Sequence, residues 1–461
     1  MTFATNTFLL LFLPGVLTLA VLGYFLFKRN PRYRTGLLLA ASLVFYLWAG
    51  LGAWALLAGM SVVSWAVARW VKKSKLRLGM GVVLLCLPLA AFKYTAFVVE
   101  NINLALGTGL PLPGWALPLG ISFYTFQALS MVVDTYRGQM DPPPFRKVLF
   151  YLTFFPTVVS GPIAQYGQVV PQLDRWELSL SGFEQGLSRF VTGLAQKLLL
   201  ADKLAPLADY YFNQAADGYT ASSAGFWLGS VAYTLQIYFD FQGYTQMALG
   251  VGEMVGITLP QNFDRPYLAT SVQDFWRRWH ITLSRWFRDY IYIPMGGNRV
   301  PVKRHILNLL VVWMVTGIWH GANWTFLVWG LGYFCLLTAE KYGKRWLAPL
   351  NKGPLGWVYT IFWVNLLWVV FRSDSLPAAL RYIAGMAGVG ASGSLEGEAA
   401  AYLPLVGIAV FCCLPWGEWL ARWKENSAFR LAKGLGLAAL FLVCVGALAS
   451  TSYTPFIYGN F

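Results

Sequence analysis

Apolar residues in this chain do not alternate with polar ones; they come in long blocks. Nearly uninterrupted runs occupy 7–27, 36–50, 51–68, 79–98, 115–133, 148–164, 222–239, 306–319, 322–338, 355–371, 402–415 and 435–452. A helix needs about 20 such residues to cross a hydrocarbon core of ~30 Å, so the pattern predicts an all-α polytopic membrane protein. Several runs are too short for that. They are expected to be re-entrant or interfacial helices, which survive at membrane depth where protein surrounds them. Two segments interrupt the pattern. FFPTVVSGPIAQY carries Pro156, Ser160, Gly161 and Pro162, and IYIPMGGNR carries Pro294, Gly296 and Gly297. A continuous helix cannot run through either, and broken backbone at such depth implies a water-accessible cavity or tunnel.

One stretch has helical rather than block periodicity. If 272–293 is a single helix, Phe275, Trp276, Trp279, Leu283, Trp286, Phe287 and Tyr290 form an apolar stripe, while Arg277, Arg278, Arg285, Arg288 and Asp289 line the other side. Such a helix is expected to lie along the membrane interface or against a polar cavity. His280, four residues after Trp276, falls on the inward face.

Composition strengthens the membrane reading: 57% of residues are hydrophobic, 12% are charged, and 21 Trp and 24 Tyr are present. The formal charge of +15 would suit nucleic acid if it formed one patch. Instead the basic residues fall in short clusters between apolar runs: Lys28, Arg29, Arg32 and Arg34; then Arg69, Lys72, Lys73, Lys75 and Arg77; then Arg137, Arg146 and Lys147. Positive-inside topology accounts for this and predicts an extracytoplasmic N-terminus. The cluster Arg422, Lys424, Arg430 and Lys433 before the last run sends the closing TSYTPFIYGNF to the same side. The first run lacks a preceding basic region and a small-residue cleavage site, so it is expected to stay as an anchor. Five cysteines show neither disulfide nor zinc spacing. No repeat or inserted soluble domain is evident, which predicts a single integral-membrane domain over 1–461. Within it 1–110 are N-terminal helices, 111–372 the core, and 373–461 C-terminal helices with an outward tail, and 388–401 is a solvent loop.

The chain has three histidines. His320 lies in VVWMVTGIWHGANWTFLVWG, among apolar residues, and an ionisable group placed there costs several kcal/mol and is by default functional. His280 has two readings, a catalytic partner or a structural ring bonded to a carbonyl. His305, beside Lys303 and Arg304, is expected to be solvated and without a role. A metal site would need a third ligand and a closed outer shell, and none is expected. Asp240, in YFDFQGYTQMALG, reads as an intramembrane acid that orients a histidine or caps broken helix ends.

These pieces together resemble a known family. ISFYTFQ (121–127), SGPIAQY (160–166), DFQGYTQMALGVG (240–252), LPQNFDRPYL (259–268), DFWRRWHITLSRWFRDYIYIPMGGNR (274–299) and GIWHGANWTFLVWG (317–330) are similar to motifs of the membrane-bound O-acyltransferases, specifically bacterial polysaccharide O-acetylases of the alginate type. The resemblance spans essentially the whole chain. It implies a ring of transmembrane, re-entrant and interfacial helices around a central tunnel, with His320 matching the histidine of the WHGxxW motif and Trp319, Asn323 and Trp324 belonging to the same motif. His280 matches the family's second histidine. The family's DFSGYSDMA-like pattern reads DFQGYTQMA here, so Gln242 and Gln246 replace small polar and acidic residues and no second acid is carried over. The ending FIYGNF is similar to the FxYxxF ending of the companion protein in teichoic-acid D-alanylation, which makes Tyr458 a candidate acyl carrier or, alternatively, a headgroup anchor.

The resemblance further implies acetyl-CoA as acyl donor, with no permanently bound cofactor, and Arg277, Arg278, Arg285 and Arg288 as candidates for the CoA phosphates. The expected acceptor is a hydroxyl of an exopolysaccharide such as alginate, reached directly or through a periplasmic transferase of the SGNH type, from a bacterial inner membrane. Peptidoglycan or another cell-wall polymer is an alternative acceptor. The rival class is a proton-coupled transporter using His280, His320 and Asp240.

Overall fold

The computed structural model describes residues 2–343, 353–423, 425–450 and 456. Every regular element among the described residues is helical. In chain order the longer helices are α1 (Leu13–Leu26), α2 (Pro31–Leu47), α3 (Leu51–Trp70), α4 (Lys75–Leu106), α5 (Ile121–Tyr136), α6 (Phe145–Thr153), α7 (Leu180–Ala195), α8 (Asp202–Asp217), α9 (Ser223–Met254), α10 (Val272–Arg278), α11 (Ile281–Phe287), α12 (Val302–His320), α13 (Trp324–Tyr342), α14 (Gly353–Arg372), α15 (Leu376–Met386), α16 (Leu403–Cys412) and α17 (Ser427–Ser450).

Local sequence sets many of these boundaries. Asn30 accepts a hydrogen bond from Arg32 N and Pro31 opens α2. Ser74 and Ser375 cap α4 and α15 through their side chains, and Gly107 closes α4 in the left-handed region. Side-chain caps satisfy backbone N–H groups that a helix start leaves over. The break expected in FFPTVVSGPIAQY is present: α6 stops at Thr153 and irregular backbone runs on to Gln165. Of the expected solvent loop 388–401, residues 388–396 are irregular and mostly exposed, but Gly397–Ala400 form a short helix with Ala399 buried.

Among the described residues, five helical stretches are long and apolar enough to cross a membrane: Phe8–Leu26, Leu51–Trp70, Lys75–Leu106, Gly353–Arg372 and Ser427–Ala449. A sixth is available if Gly397–Cys412 and Trp416–Trp423, bent by 61°, count as one span. On α17, Leu431, Leu435 and Leu442 are each more than 60% exposed, a surface that water would penalise and lipid accepts. At 1.5 Å per residue, the 32 residues of α4 reach about 48 Å, well past the core thickness. By contrast α5 is buried from Ile121 through Val132, so its apolar surface faces protein.

The chain divides into two compact units. One comprises residues 1–194, 244–261 and 445–461. In it the α2 residue Arg34, 1% exposed, donates to the carbonyls of Gly256 at 3.0 Å, Arg175 at 2.5 Å and Gln172. One guanidinium thereby satisfies three carbonyls from two separate loops. Gly186 of α7 and Gly250 of α9 touch backbone to backbone: a Cβ on either would meet the other's oxygen at 2.6 or 2.4 Å.

The second unit comprises residues 195–243 and 262–444. Its centre is aromatic, with Trp279, Trp329, Trp368 and Tyr333 essentially inaccessible. Its tightest element is the hairpin of α12 and α13. A Cβ on Gly317 would lie 2.5 Å from Phe326 O, and one on Gly330 would lie 2.5 Å from Trp313 O. Glycine at both crossings lets the two backbones approach to contact, as small residues do where membrane helices pack.

Candidate active site

His320 is the last residue of α12, and Asn323 begins α13 by accepting a hydrogen bond from Thr325 N at 3.0 Å. Asn323 Nδ2 also donates to Asp374 O at 2.8 Å, so this side chain sets the turn between the two helices. Gly321 allows the turn to close, because a Cβ there would meet the Phe326 ring at 2.1 Å. The His320 ring, 1% exposed, is boxed by aromatics. Trp329 and Phe371 stand edge-to-face at 4.9 and 5.1 Å, and Trp319 lies at 4.8 Å. Such walls fix ring orientation and exclude water.

His280 enters from another direction. The single helix expected over 272–293 is two helices, α10 and α11, broken at Trp279 and His280, and a π-helical turn at Arg288–Tyr292 follows. The cause is a neighbouring segment that takes the backbone bonds: Asp264 N donates to Arg278 O and Ile281 N to Asn262 O, both at 2.9 Å. His280 adopts φ 43° and ψ 54°, a left-handed conformation that a non-glycine residue holds only when its surroundings impose it. The ring faces inward as expected, fully buried, with Phe241 edge-on at 4.7 Å.

Asn262 settles the His280 tautomer. Its Oδ1 accepts from Thr282 N at 3.2 Å and Thr282 Oγ1 at 2.9 Å, and it lies 3.0 Å from His280 Nδ1. Since a backbone N–H can only donate, that Asn atom is the oxygen, and Nδ1 of His280 carries the proton. Burial pushes the ring's pKa down to about 3. The lone pair of the neutral ring is therefore on Nε2. Trp319 lies near both histidines, with its ring 6.3 Å from His280 and 4.8 Å from His320.

Asp240 is held by Lys197. The ammonium is 2.6 Å from Asp240 Oδ1 and 2.8 Å from Asp202 Oδ1, with Lys197 and Asp240 almost fully buried. Phe241, the next residue, is the ring against His280, so this ion pair fixes α9 where it meets the histidine.

A cavity of about 410 Å³ lies in the same unit, and neither His280 nor His320 lines it. Its apolar wall includes Trp276, Leu309, Val312 and Trp313, and its polar wall includes Arg277, Arg288, Tyr292, His305 and Lys341. It reaches Thr316, one helical turn before His320. Trp276 packs on Trp313 at 4.8 Å and on Trp329 at 5.7 Å, so an aromatic chain connects the cavity wall to the His320 box.

Of the four arginines, Arg277 and Arg288 line this cavity. Arg278 turns to Asp274 at 2.9 Å, and Arg285 is exposed. Trp324 is 52% exposed at the start of α13, whereas Trp319 is buried near both histidines. Tyr458 lies outside the described residues. His305 corrects the expectation of a solvated side chain. It is 2% exposed, with Nε2 2.7 Å from Tyr292 Oη and 3.2 Å from Lys341 Nζ, and Nδ1 2.6 Å from Tyr342 Oη. Its neighbours in sequence are basic, but the ring points the other way, into the helix packing.

The sequence profile of the membrane-bound O-acyltransferase family, MBOAT, matches residues 61–376, which include both histidines and the cavity wall. The chain belongs to that family. It is 39% identical over 401 residues to the probable alginate O-acetylase AlgI of Azotobacter vinelandii, covering 84% of this chain and 78% of that protein. To the peptidoglycan O-acetyltransferase of Helicobacter pylori it is 35% identical over 427 residues, 84% of this chain and 80% of that protein. The teichoic acid D-alanyltransferase of Bacillus subtilis matches at 29% over 266 residues, 55% of this chain and 65% of that protein. The protein is thus a multi-pass membrane acyltransferase.

In this MBOAT protein four residues at the site went unassigned in the sequence: Lys197, Asn262, Glu340 and Lys341. Lys197 carries the same signal that singled out His320, a charge among apolar neighbours in GLAQKLLLADKLA. Asn262 offers no such signal, since its role depends on a contact with a residue eighteen positions away.

Proposed function

We propose that this acyltransferase moves an acetyl group from acetyl-CoA to a hydroxyl for exopolysaccharide O-acetylation of the alginate kind. The observation that carries the reading is two buried histidines that both lie near the Trp319 ring, with His320 one turn beyond Thr316 in the wall of a cavity lined by Arg277 and Arg288. The apolar wall of the cavity suits a pantetheine arm and its arginines suit phosphates. In the transfer, His320 takes the proton of the acceptor hydroxyl as its oxygen attacks the thioester carbonyl. The tetrahedral intermediate collapses with cleavage of the C–S bond, and the proton passes to the departing thiolate, giving acetyl ester and CoA. His280, with its tautomer set by Asn262, orients the donor or supports the oxyanion, and the pair Asp240 and Lys197 holds α9 in place. Trp319, Asn323 and Trp324 shape the turn that carries His320.

The donor enters from the cytoplasm and the acceptor from the outside of a bacterial inner membrane, with both chain termini extracytoplasmic, and 1–461 acts as one domain built on the core 111–372. Tyr458, beyond the last span, receives the acetyl group first and hands it to a periplasmic SGNH-type transferase that acylates the polymer. Peptidoglycan is the second acceptor reading, supported by the 35% identity to the Helicobacter pylori protein.

Purified protein incubated with radiolabelled acetyl-CoA tests the donor. The expected result is release of free CoA with label retained on protein or acceptor. Unchanged thioester, together with proton-coupled solute flux in vesicles, would favour transport instead.

A further inference from the structure

The polar end of the cavity contains a cation that the donor reading above does not include. Lys341 lines the cavity together with Arg277 and Arg288, and its neighbourhood is built in an unusual way. An ammonium group can only donate, so the 3.2 Å contact between Lys341 Nζ and His305 Nε2 makes that nitrogen an acceptor. The Tyr292 hydroxyl, 2.7 Å from the same nitrogen, donates to it as well. The proton of the neutral ring is then on Nδ1, where it donates to Tyr342 Oη at 2.6 Å. His305 therefore fixes three groups from two other elements by accepting on one side and donating on the other.

Glu340 is adjacent to Lys341 in sequence and also lines the cavity, yet both of its oxygens are committed elsewhere. Oε1 accepts from Val272 N at 2.7 Å and Oε2 from Gln273 N at 2.9 Å. The carboxylate is bonded to the first turn of α10, where the orphan N–H groups and the helix dipole favour negative charge. The cavity thus has Arg277, Arg288 and Lys341 in its lining, with Arg288 also paired to Asp289 at 2.7 Å, while the Glu340 carboxylate in that lining is turned to backbone.

We propose that Lys341 is a third phosphate-binding cation of the donor site and that His305 is its positioning residue. The inference rests on the reading that the cavity receives a phosphorylated thioester. It adds that recognition of the nucleotide end depends on an ammonium aimed by an imidazole, and not on the arginines alone. Arginine matches phosphate as a planar fork, whereas lysine acts as a point charge whose direction must come from its surroundings. His305 supplies that direction.

The test compares two donors, acetyl-CoA and S-acetylpantetheine, which carries the same thioester arm without any phosphate. For Lys341→Gln, KM for acetyl-CoA is expected to rise about tenfold, the loss typical of one charge-assisted bond, while KM for S-acetylpantetheine stays within about twofold of the wild type. Lys341→Arg should recover most of the acetyl-CoA affinity. His305→Phe should reproduce the Lys341→Gln pattern, and His305→Gln, which keeps an acceptor, should lie near wild type. An equal KM rise for both donors in Lys341→Gln, or no rise for acetyl-CoA, overturns the proposal. A wild-type protein with the same KM for both donors, or one that consumes neither, overturns the phosphorylated-donor reading itself, a separate result seen before any variant is made.

Discussion

His280 Nδ1 lies 3.0 Å from Asn262 Oδ1, and that one oxygen also receives the N–H and hydroxyl of Thr282. Asn262 therefore controls both the tautomer of the histidine and the start of the helix that follows it. Asn262→Leu removes the acceptor from three buried donors, each costing about 1–3 kcal/mol when left unmade. The expected outcome is a lower thermal midpoint in detergent and acetyl transfer reduced by an order of magnitude or more. Wild-type turnover in this variant would show that the tautomer of His280 does not matter.

The glycines of the α12–α13 hairpin give a second prediction. A Cβ at Gly317 meets Phe326 O at 2.5 Å, so Gly317→Ala forces the helices apart at a cost of about 1–3 kcal/mol. His320 rides on the end of α12, three residues on, and moves with it. Gly36→Ala, where a Cβ meets nothing within 4 Å, is the control. Thermal melts and transfer rates of the two variants should differ clearly, with Gly317→Ala impaired in both.

Lys197 holds a nearly inaccessible Asp240 at 2.6 Å. Removing one member of such a pair leaves an uncompensated charge, worth about 3–5 kcal/mol. Lys197→Met is expected to lower the yield of folded, monodisperse protein sharply. Combining it with Asp240→Asn should restore part of that yield, and a double variant no better than the single one would contradict the pairing.

Much of this architecture is legible in the sequence, and its limits have physical causes. Block hydrophobicity identifies the spans, as on α3, α4 and α17, because lipid imposes one length and one composition. It overcounts them where the apolar face meets protein, as on α5, since burial and lipid exposure select similar residues. Periodicity placed Trp276, Trp279 and His280 on an inward face correctly, yet missed the break between α10 and α11. That break comes from backbone bonds to residues 262–264, a tertiary contact that local propensity does not encode. The burial of His305 is hidden in the sequence for a related reason: basic neighbours describe the chain around it, while its ring is governed by Tyr292, Lys341 and Tyr342.

Tyr458→Phe separates relay from direct transfer. If the phenol carries the acetyl group, the variant consumes little acetyl-CoA beyond background and its polymer is unacetylated, while expression and membrane insertion are unchanged. Normal polymer acetylation would leave the tyrosine as an anchor.

The central claim is that His320 performs the proton transfer, and its most direct measurement is single-turnover acetyl transfer from labelled acetyl-CoA by His320→Ala and His320→Gln beside wild type. General-base catalysis by a positioned side chain typically contributes a factor of about 10²–10⁴. Both variants should lose at least a hundredfold in rate while binding donor with near wild-type affinity and remaining folded. Transfer within a few-fold of wild type in either variant would contradict the account.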